Sequence, residues 1–452
     1  MKPIPLSVRK VVEFALRCGD IDSRYVDSST RLDGARIHRR IQREMGPAYQ
    51  KEVSLQCETT MGGLPVRLQG RADGVMVTDT GDVTIDEIKT TTLPFERLMR
   101  QQEQHLGQAK CYAYMYLKNA PEPPPSITVQ LTYVQMDTDE TQRLRWAVTP
   151  EELETFFADL CDRYGVWLRM ERDWIARRDR TIADGVFPFE RYRKGQRELA
   201  AAVYRTIAGE GNLYVQAPTG IGKTLSTLFP SIKSQGEGKA DTVFYLTAKT
   251  VARGVVEDAV RRLQQNGLRY KSVTLRAKDK SCLNEEAVCT PERCPYANGH
   301  FDRVNGALLE LLGQEDLITP EITRQYAERY QVCPHELVLD AALWSDLVIG
   351  DYNHVFDPNA YLRRFFNDQG GRYIFLFDEA HNLADRVREM YTAVLRKSSF
   401  GRLKRALKDK RPAAARLRGA LGQVDRYLLE RAKELDGAPS RVEKSADQTL
   451  QA

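Results

Sequence analysis

Ala217-Pro-Thr-Gly-Ile-Gly-Lys-Thr224, read together with the distant Tyr373-Ile-Phe-Leu-Phe-Asp-Glu-Ala-His381, decides the fold of this chain. Gly220 and Gly222 free successive backbone N–H groups to wrap a phosphate at the start of a helix, where the helix end favours an anion. In that pattern Lys223 reaches the β- and γ-phosphates and the Thr224 hydroxyl holds Mg2+. Leu213-Tyr-Val-Gln-Ala217 reads as a short buried strand leading into the loop. The second stretch is a continuous apolar run. Such a run suits a strand buried on both faces of a parallel sheet, delivering its acids at the carboxyl end. There Asp378 is placed to bind Mg2+ through water and Glu379 to orient or deprotonate an attacking water. The expectation is an ATP site on an α/β scaffold.

Working outward, 452 residues are enough for two or three domains with cores of their own. A formal charge of +5 is mildly basic, which permits a nucleic-acid partner without requiring one. No run of eighteen apolar residues occurs, so no membrane-spanning segment or membrane partner is expected. The start, Met1-Lys-Pro-Ile-Pro-Leu6, has no apolar signal core, and cytoplasmic residence is the expectation. Eight cysteines in so long a chain point to metal binding or buried thiols rather than to a disulfide framework.

Ala120-Pro-Glu-Pro-Pro-Pro125 breaks the chain before a strand at Ser126–Val134. A long amphipathic helix is expected from about Pro150 to Ala183, where Asp184-Gly-Val-Phe-Pro188 stops it. Asp241–Leu246 reads as the second strand of the nucleotide module, and a large insertion with four cysteines separates it from the acidic strand. Beyond Asn382 the pattern is helical and basic, with Arg402, Lys404, Arg405, Lys408, Lys410 and Arg411 close together as a nucleic-acid path or a solvated face. The tail from Gly437 is small and polar and is expected to be disordered.

Cys282, Cys289, Cys294 and Cys333 are spaced C-x6-C-x4-C-x38-C. Four thiolates hold either an iron–sulfur cluster or a tetrahedral zinc, and the tight C-x-x-C knuckles of zinc ribbons are absent here. The phosphate loop, Tyr245-Leu-Thr-Ala-Lys-Thr250, Lys278-Asp-Lys-Ser-Cys-Leu-Asn284, Leu343–Asn353 and Asp378-Glu-Ala-His-Asn382 together resemble the superfamily 2 iron–sulfur DNA helicases typified by XPD and DinG. The resemblance covers about Phe189 to His381 and implies a 4Fe–4S cluster on the four cysteines. It also implies ATP-driven, 5′→3′ movement on single-stranded DNA, with His381 relaying between nucleotide and nucleic-acid sites. Arg193 and Gln196 sit where related helicases contact adenine.

The front of the chain carries a second acidic set. Asp73 follows Gly70-Arg-Ala, at what reads as a strand start, and Val83-Thr-Ile-Asp-Glu-Ile-Lys-Thr90 reads as the next strand. With a period of two, Glu87 and Lys89 share a face and Asp86 points the other way. Carboxylates holding Mg2+ or Mn2+ beside a lysine are what phosphodiester hydrolysis requires. Together with the helical His38 and with Gln108-Ala-Lys-Cys-Tyr112, this set resembles the RecB-like branch of the PD-(D/E)XK nucleases over roughly Val11 to Val134. His38, Asp73 and Glu87 are then the implied metal ligands, and Lys89, Gln108 and Tyr112 the implied catalytic group. Cys18, Cys57, Cys111 and Cys161 are scattered and are expected to be core thiols without a cluster.

The expected organisation is a mixed-sheet nuclease domain with a helical linker over 1–183 and a RecA-like parallel-sheet lobe over 184–389. An iron–sulfur insertion occupies 276–336, and residues 390–452 begin a helical Arch domain. After Asn382 only some seventy residues follow, with no second parallel-sheet pattern, so the chain reads as a helicase cut before its second lobe. The leading expectation is a monomeric ATP-dependent DNA helicase fused to a metal-dependent nuclease, acting on single-stranded and fork-like DNA in repair. The alternative is a DNA-binding ATPase whose nuclease-like domain is inactive and only binds DNA.

Overall fold

The computed structural model describes all residues except 1, 26–30, 93–94, 99–101, 137, 219, 249, 408–411 and 435–452. Lys408, Lys410, Arg411 and the whole polar tail from Gly437 therefore lie outside the described residues. The chain forms two compact units, Met1–Leu383 and Ala384–Ala452.

Six strands at the front make one mixed sheet: β1 (Ile4–Ser7), β2 (Tyr49–Met61), β3 (Leu64–Val77), β4 (Val83–Thr91), β5 (Ile127–Gln135) and β6 (Thr141–Val148). The path is β1-β3-β4-β5-β6, with β2 antiparallel on β3. β4 and β5 are parallel, with Glu87 opposite Leu131 and Lys89 opposite Tyr133. β5 is almost wholly buried, as its Ile-Thr-Val-Gln-Leu-Thr-Tyr-Val composition suits a central strand. The helix Gln102–Asn119 and the first turns of the helix Pro150–Asp184 cover one face, burying Ala109, Cys111, Tyr112, Leu153, Phe157 and Leu160 in the core. Cys111 and Cys161 are buried and Cys18 and Cys57 half-buried.

Thr149 starts the long helix with a reciprocal cap. Its Oγ1 accepts from Glu152 N (3.3 Å) while Thr149 N donates to Glu152 Oε2 (2.9 Å), with Pro150 at the first helical position. At ~1.5 Å per residue, the 35-residue helix is long enough to serve both sheets. Leu153 to Leu168 belong to the first core, and Ile182 belongs to the second. Between them Arg178 donates to Asp346 (2.8 Å), and Trp174 Nε1 donates to the same carboxylate (2.9 Å). Burial pushes the Asp346 carboxyl up, and the Arg178 guanidinium opposes it. A buried pair of this kind costs about 3–5 kcal/mol to break from one side.

The second sheet is parallel throughout: β7 (Thr242–Thr247), β8 (Ser272–Thr274), β9 (Leu317–Ile318), β10 (Leu347–Gly350) and β11 (Tyr373–Asp378), in the order β11-β7-β10-β8-β9. Two sequence expectations fail here. Leu213–Ala217 is not a strand: Leu213, Tyr214 and Val215 are 40%, 93% and 50% exposed. An apolar run becomes a strand only when a neighbour supplies ladder hydrogen bonds, and no described strand pairs with this one. β11 is likewise not buried on both faces. It pairs with β7 alone among the described strands and leaves Phe375 36% exposed. The second unit consists of the helices Lys397–Ala406 and Pro412–Lys433 with part of Leu383–Met390, and Arg402, Lys404 and Arg405 are exposed on the first of these.

Candidate functional site

The front sheet brings the acidic set together. Asp73 lies inside β3, in its second half, rather than at a strand start, and reaches β4, where its Oδ2 accepts from Ile88 N (2.7 Å). Its Oδ1 stands 3.3 Å from Nδ1 of His38, on the helix Arg31–Glu44. Lys89 Nζ donates to Glu87 Oε1 and to Gln108 Oε1, both at 2.9 Å. Gln108 Nε2 in turn faces the Tyr112 hydroxyl at 3.5 Å, one helical turn on. The period-two reading of β4 is observed directly, since Asp86 turns to the other face. There it accepts from Tyr49 (2.8 Å), Gln130 (3.0 Å) and Thr132 (2.7 Å), and burial pushes its carboxyl up.

Glu87 is the electrostatic centre of this set. Burial raises its carboxyl to about 7, with Lys89 opposing the shift and Asp73 adding to it. Its Oε2 is buried and has no hydrogen-bond partner. His38 is raised as well: burial works against its charge, but the hydrogen bond and charge of Asp73 and the charge of Glu87 outweigh it. Among the described residues, no three His, Cys, Asp or Glu side chains are grouped tightly enough to hold an ion. The carboxylates are engaged by His38, Lys89 and the Ile88 N–H, leaving Glu87 Oε2 as the unpaired acceptor.

The phosphate loop leads into the helix Lys223–Gly236, as its sequence predicts. Gly220 and Gly222 both have positive φ, 83° and 86°. Gly222 is further constrained because a Cβ there would lie 2.1 Å from Gln196 Nε2. Gln196, 2% exposed, accepts from Arg193 N (2.7 Å), and Arg193 Nη1 donates to Gly220 O (2.5 Å). Both residues therefore brace the loop itself. Lys223 Nζ donates to Ala217 O (3.3 Å) and stands 4.0 Å from Glu379 Oε1. Burial raises the Tyr245 hydroxyl, and the neighbouring Thr224 opposes the shift. Asp378 ends β11, and burial and the adjacent Glu379 raise its carboxyl while Lys223 lowers it. The Tyr352 hydroxyl donates to Asp378 O, a brace that sequence reading missed although Tyr352 lies within the quoted Leu343–Asn353 segment. His381 is exposed, with Nδ1 3.6 Å from Glu379 Oε2.

Cys282, Cys289, Cys294 and Cys333, distant in sequence, line one cavity, with Ile21, Leu283, Ala297, Pro334 and Lys278 as neighbours. Cys289 and Cys294 are buried. Burial raises the Cys333 thiol to about 11. Behind it, His300 Nδ1 accepts from Cys333 N (3.1 Å) while His300 Nε2 is buried without a partner. Ile21 comes from the front of the chain, and nothing in the cysteine spacing signals it.

A model of the PD-(D/E)XK nuclease superfamily matches residues 11–298, and the DEAD_2 model matches residues 258–400. The chain is 23% identical over 259 residues to a regulator of telomere elongation helicase 1 homolog of Caenorhabditis briggsae, covering 47% of this chain and 26% of that protein. It is 23% identical over 199 residues to the ATP-dependent DNA helicase XPD of Sulfolobus acidocaldarius, covering 44% of this chain and 34% of that one. This chain thus spans about a quarter to a third of these relatives. A solved XPD helicase structure aligns at 20% identity with a TM-score of 0.37, over 54% of this chain and 41% of that one. No helix among the described residues is long and apolar enough to cross a membrane. The chain belongs to the PD-(D/E)XK nuclease superfamily, and its residues 258–400 match the DEAD_2 model.

Proposed function

We propose that this chain couples a metal-dependent DNA nuclease, over residues 1–183, to the ATP-binding lobe of a 5′→3′ single-stranded DNA helicase, over residues 184–389. The remaining residues, 390–452, would begin a helical Arch domain, and the protein would act as a cytoplasmic monomer on fork-like DNA in repair. The observation that carries the nuclease reading is the seat of Lys89 between Glu87 and Gln108, 2.9 Å from each, beside Asp73 and His38. His38, Asp73 and Glu87 offer the oxygen and imidazole donors that suit Mg2+ or Mn2+, and the unpartnered Glu87 Oε2 supports their fit. A bound ion there supplies an activated water and charge stabilisation. Lys89 holds positive charge where the phosphate is attacked, Gln108 fixes the Lys89 ammonium, and Tyr112 orients Gln108.

At the second site Lys223 and Thr224 would hold the nucleotide phosphates with Mg2+, and Asp378 and Glu379 would act on the metal and on the attacking water. Arg193 and Gln196 would reach adenine while keeping the loop braced, and His381 would report nucleotide state to the DNA. Lys223→Ala is expected to weaken binding of a fluorescent ATP analogue by about two orders of magnitude, the worth of one or two charged hydrogen bonds. Unchanged binding would remove the nucleotide assignment.

Four thiols lining one cavity support a 4Fe–4S cluster on Cys282, Cys289, Cys294 and Cys333, and the lack of C-x-x-C knuckles favours it over a tetrahedral zinc. Anaerobically purified protein is expected to be brown and the Cys294→Ser variant to lose that colour. A colourless protein containing zinc would refute the cluster.

A second reading is a DNA-binding ATPase whose nuclease-like domain only binds. The raised Glu87 carboxyl favours it, because a protonated ligand resists a metal. Incubating labelled single-stranded DNA with the protein and Mn2+ separates the two. Cleavage supports the nuclease, and retention without cleavage supports the binding module.

A further inference from the structure

Residues 17–24 follow the first helix, Val8–Ala15, and belong in sequence to the nuclease fold, yet their bonds go to the cysteine insertion. Phe301 N donates to Gly19 O (2.9 Å), and Gly19 N donates to Asp302 Oδ1 (2.8 Å). Gly299 N donates to Asp20 Oδ1 (2.7 Å), and Ile21 N donates to Ala297 O (2.9 Å). Ser23 N donates to the carbonyl of Cys289 itself (2.8 Å), and Arg24 spans both carboxylate oxygens of Glu292 at 3.0 Å. Ile21 meanwhile lines the cavity of the four cysteines. A segment whose backbone is paired so fully with one loop is part of that loop's structure.

The other end of this segment packs on the helix Gln102–Asn119, which carries Gln108. Arg17, nearly buried, pairs with Asp340 and donates to Asn305 Oδ1 (2.6 Å), while Asn305 Nδ2 donates back to Phe14 O (2.9 Å). Leu16 and Val12 press on Gly107, where a Cβ would lie 2.4 Å from Leu16 Cδ1 and 3.5 Å from Val12 Cγ1. The next residue is Gln108, which holds Lys89. A contiguous physical path therefore runs from Cys289 through residues 23 to 16 to the helix Gln102–Asn119.

We propose that residues 16–24 are a tie between the two sites: Ile21 walls off the group held by the cysteines, and filling that site steadies the nuclease centre. The proposal rests on the cluster and nuclease readings above. Ile21 lines the cysteine cavity, so loosening the tie must also expose the cluster. Apolar neighbours govern solvent access to a metal group, and changing such a neighbour is typically felt about tenfold or more.

The test uses the full chain purified without oxygen. The visible absorbance before exposure to air reports on the cluster reading by itself, and Mn2+-dependent cleavage reports on the nuclease reading. With those known, Ile21→Asp is expected to bleach in air about tenfold faster than the parent protein. Hydrogen exchange is expected to quicken in residues 102–119 of the same variant. Conversely, Cys294→Ser, read by hydrogen exchange rather than activity, is expected to lose protection across residues 17–24. Bleaching at the parent rate, or unchanged protection of residues 17–24 in Cys294→Ser, overturns the tie.

Discussion

Lys89→Ala is expected to lower Mn2+-dependent cleavage of single-stranded DNA by about 10²–10³, the usual cost of removing one pre-positioned stabiliser of developing charge. The loss has two sources. The ammonium that would face the reacting phosphate disappears, and Glu87 loses the neighbour that favours its ionised form. A carboxyl already raised to about 7 then ionises less readily, so metal binding at neutral pH falls as well. Raising the Mn2+ concentration restores the metal deficit but not the missing ammonium. Nucleotide binding is expected to be unchanged, because Lys223 and Glu379 belong to the other sheet's site. Cleavage by Lys89→Ala at the parent rate would leave the domain as a binding module.

Glu87→Gln separates stability from function. In the folded protein the Glu87 carboxyl lies near 7, against 4.5 for the free group. The native state therefore holds this proton more tightly than the unfolded chain. Its contribution is fully present below pH 4.5 and is lost as pH rises through 7. At pH 8 the penalty is on the order of 3 kcal/mol for a shift of this size. The glutamine variant does not incur it, since its amide oxygen still accepts from Lys89. Without metal at pH 8, the front domain of Glu87→Gln should melt roughly 5–10 °C higher than the parent, and the gap should narrow towards pH 5. Mn2+ should raise the melting temperature of the parent at pH 8 and leave that of Glu87→Gln unmoved. A variant less stable than the parent at pH 8 would contradict the raised Glu87 carboxyl, and one that still responds to Mn2+ would contradict the assignment of Glu87 as a metal ligand.

Much of this was legible because it is local. The period of a strand places Glu87 and Lys89 on one face and Asp86 on the other, and the pitch of a helix stacks Gln108 over Tyr112. Thr149, Pro150 and Glu152 start the long helix where their cap chemistry says they should. Gly220 and Gly222 take the backbone conformation that their loop requires.

The errors were of another kind. Leu213-Tyr-Val215 and β11 are apolar enough to be buried strands, but burial depends on what packs alongside, and no sequence pattern encodes a neighbour. The same holds for the cysteine wall. Four cysteines announce a site, whereas Ile21 and Ser23 reach it from more than two hundred and fifty residues away through backbone groups that carry no side-chain signature.

By itself, then, the sequence determined the chemistry: which carboxylates, lysines, glycines and thiols are present, and which of them share a face or a turn. Only the tertiary structure decided their company. It braces the phosphate loop with Arg193 and Gln196, and it buries Glu87 deeply enough to hold a proton near neutrality. It also binds residues 17–24 of the nuclease domain to the cysteine insertion. Periodicity acts between near neighbours in the chain, while desolvation and backbone pairing act between near neighbours in space.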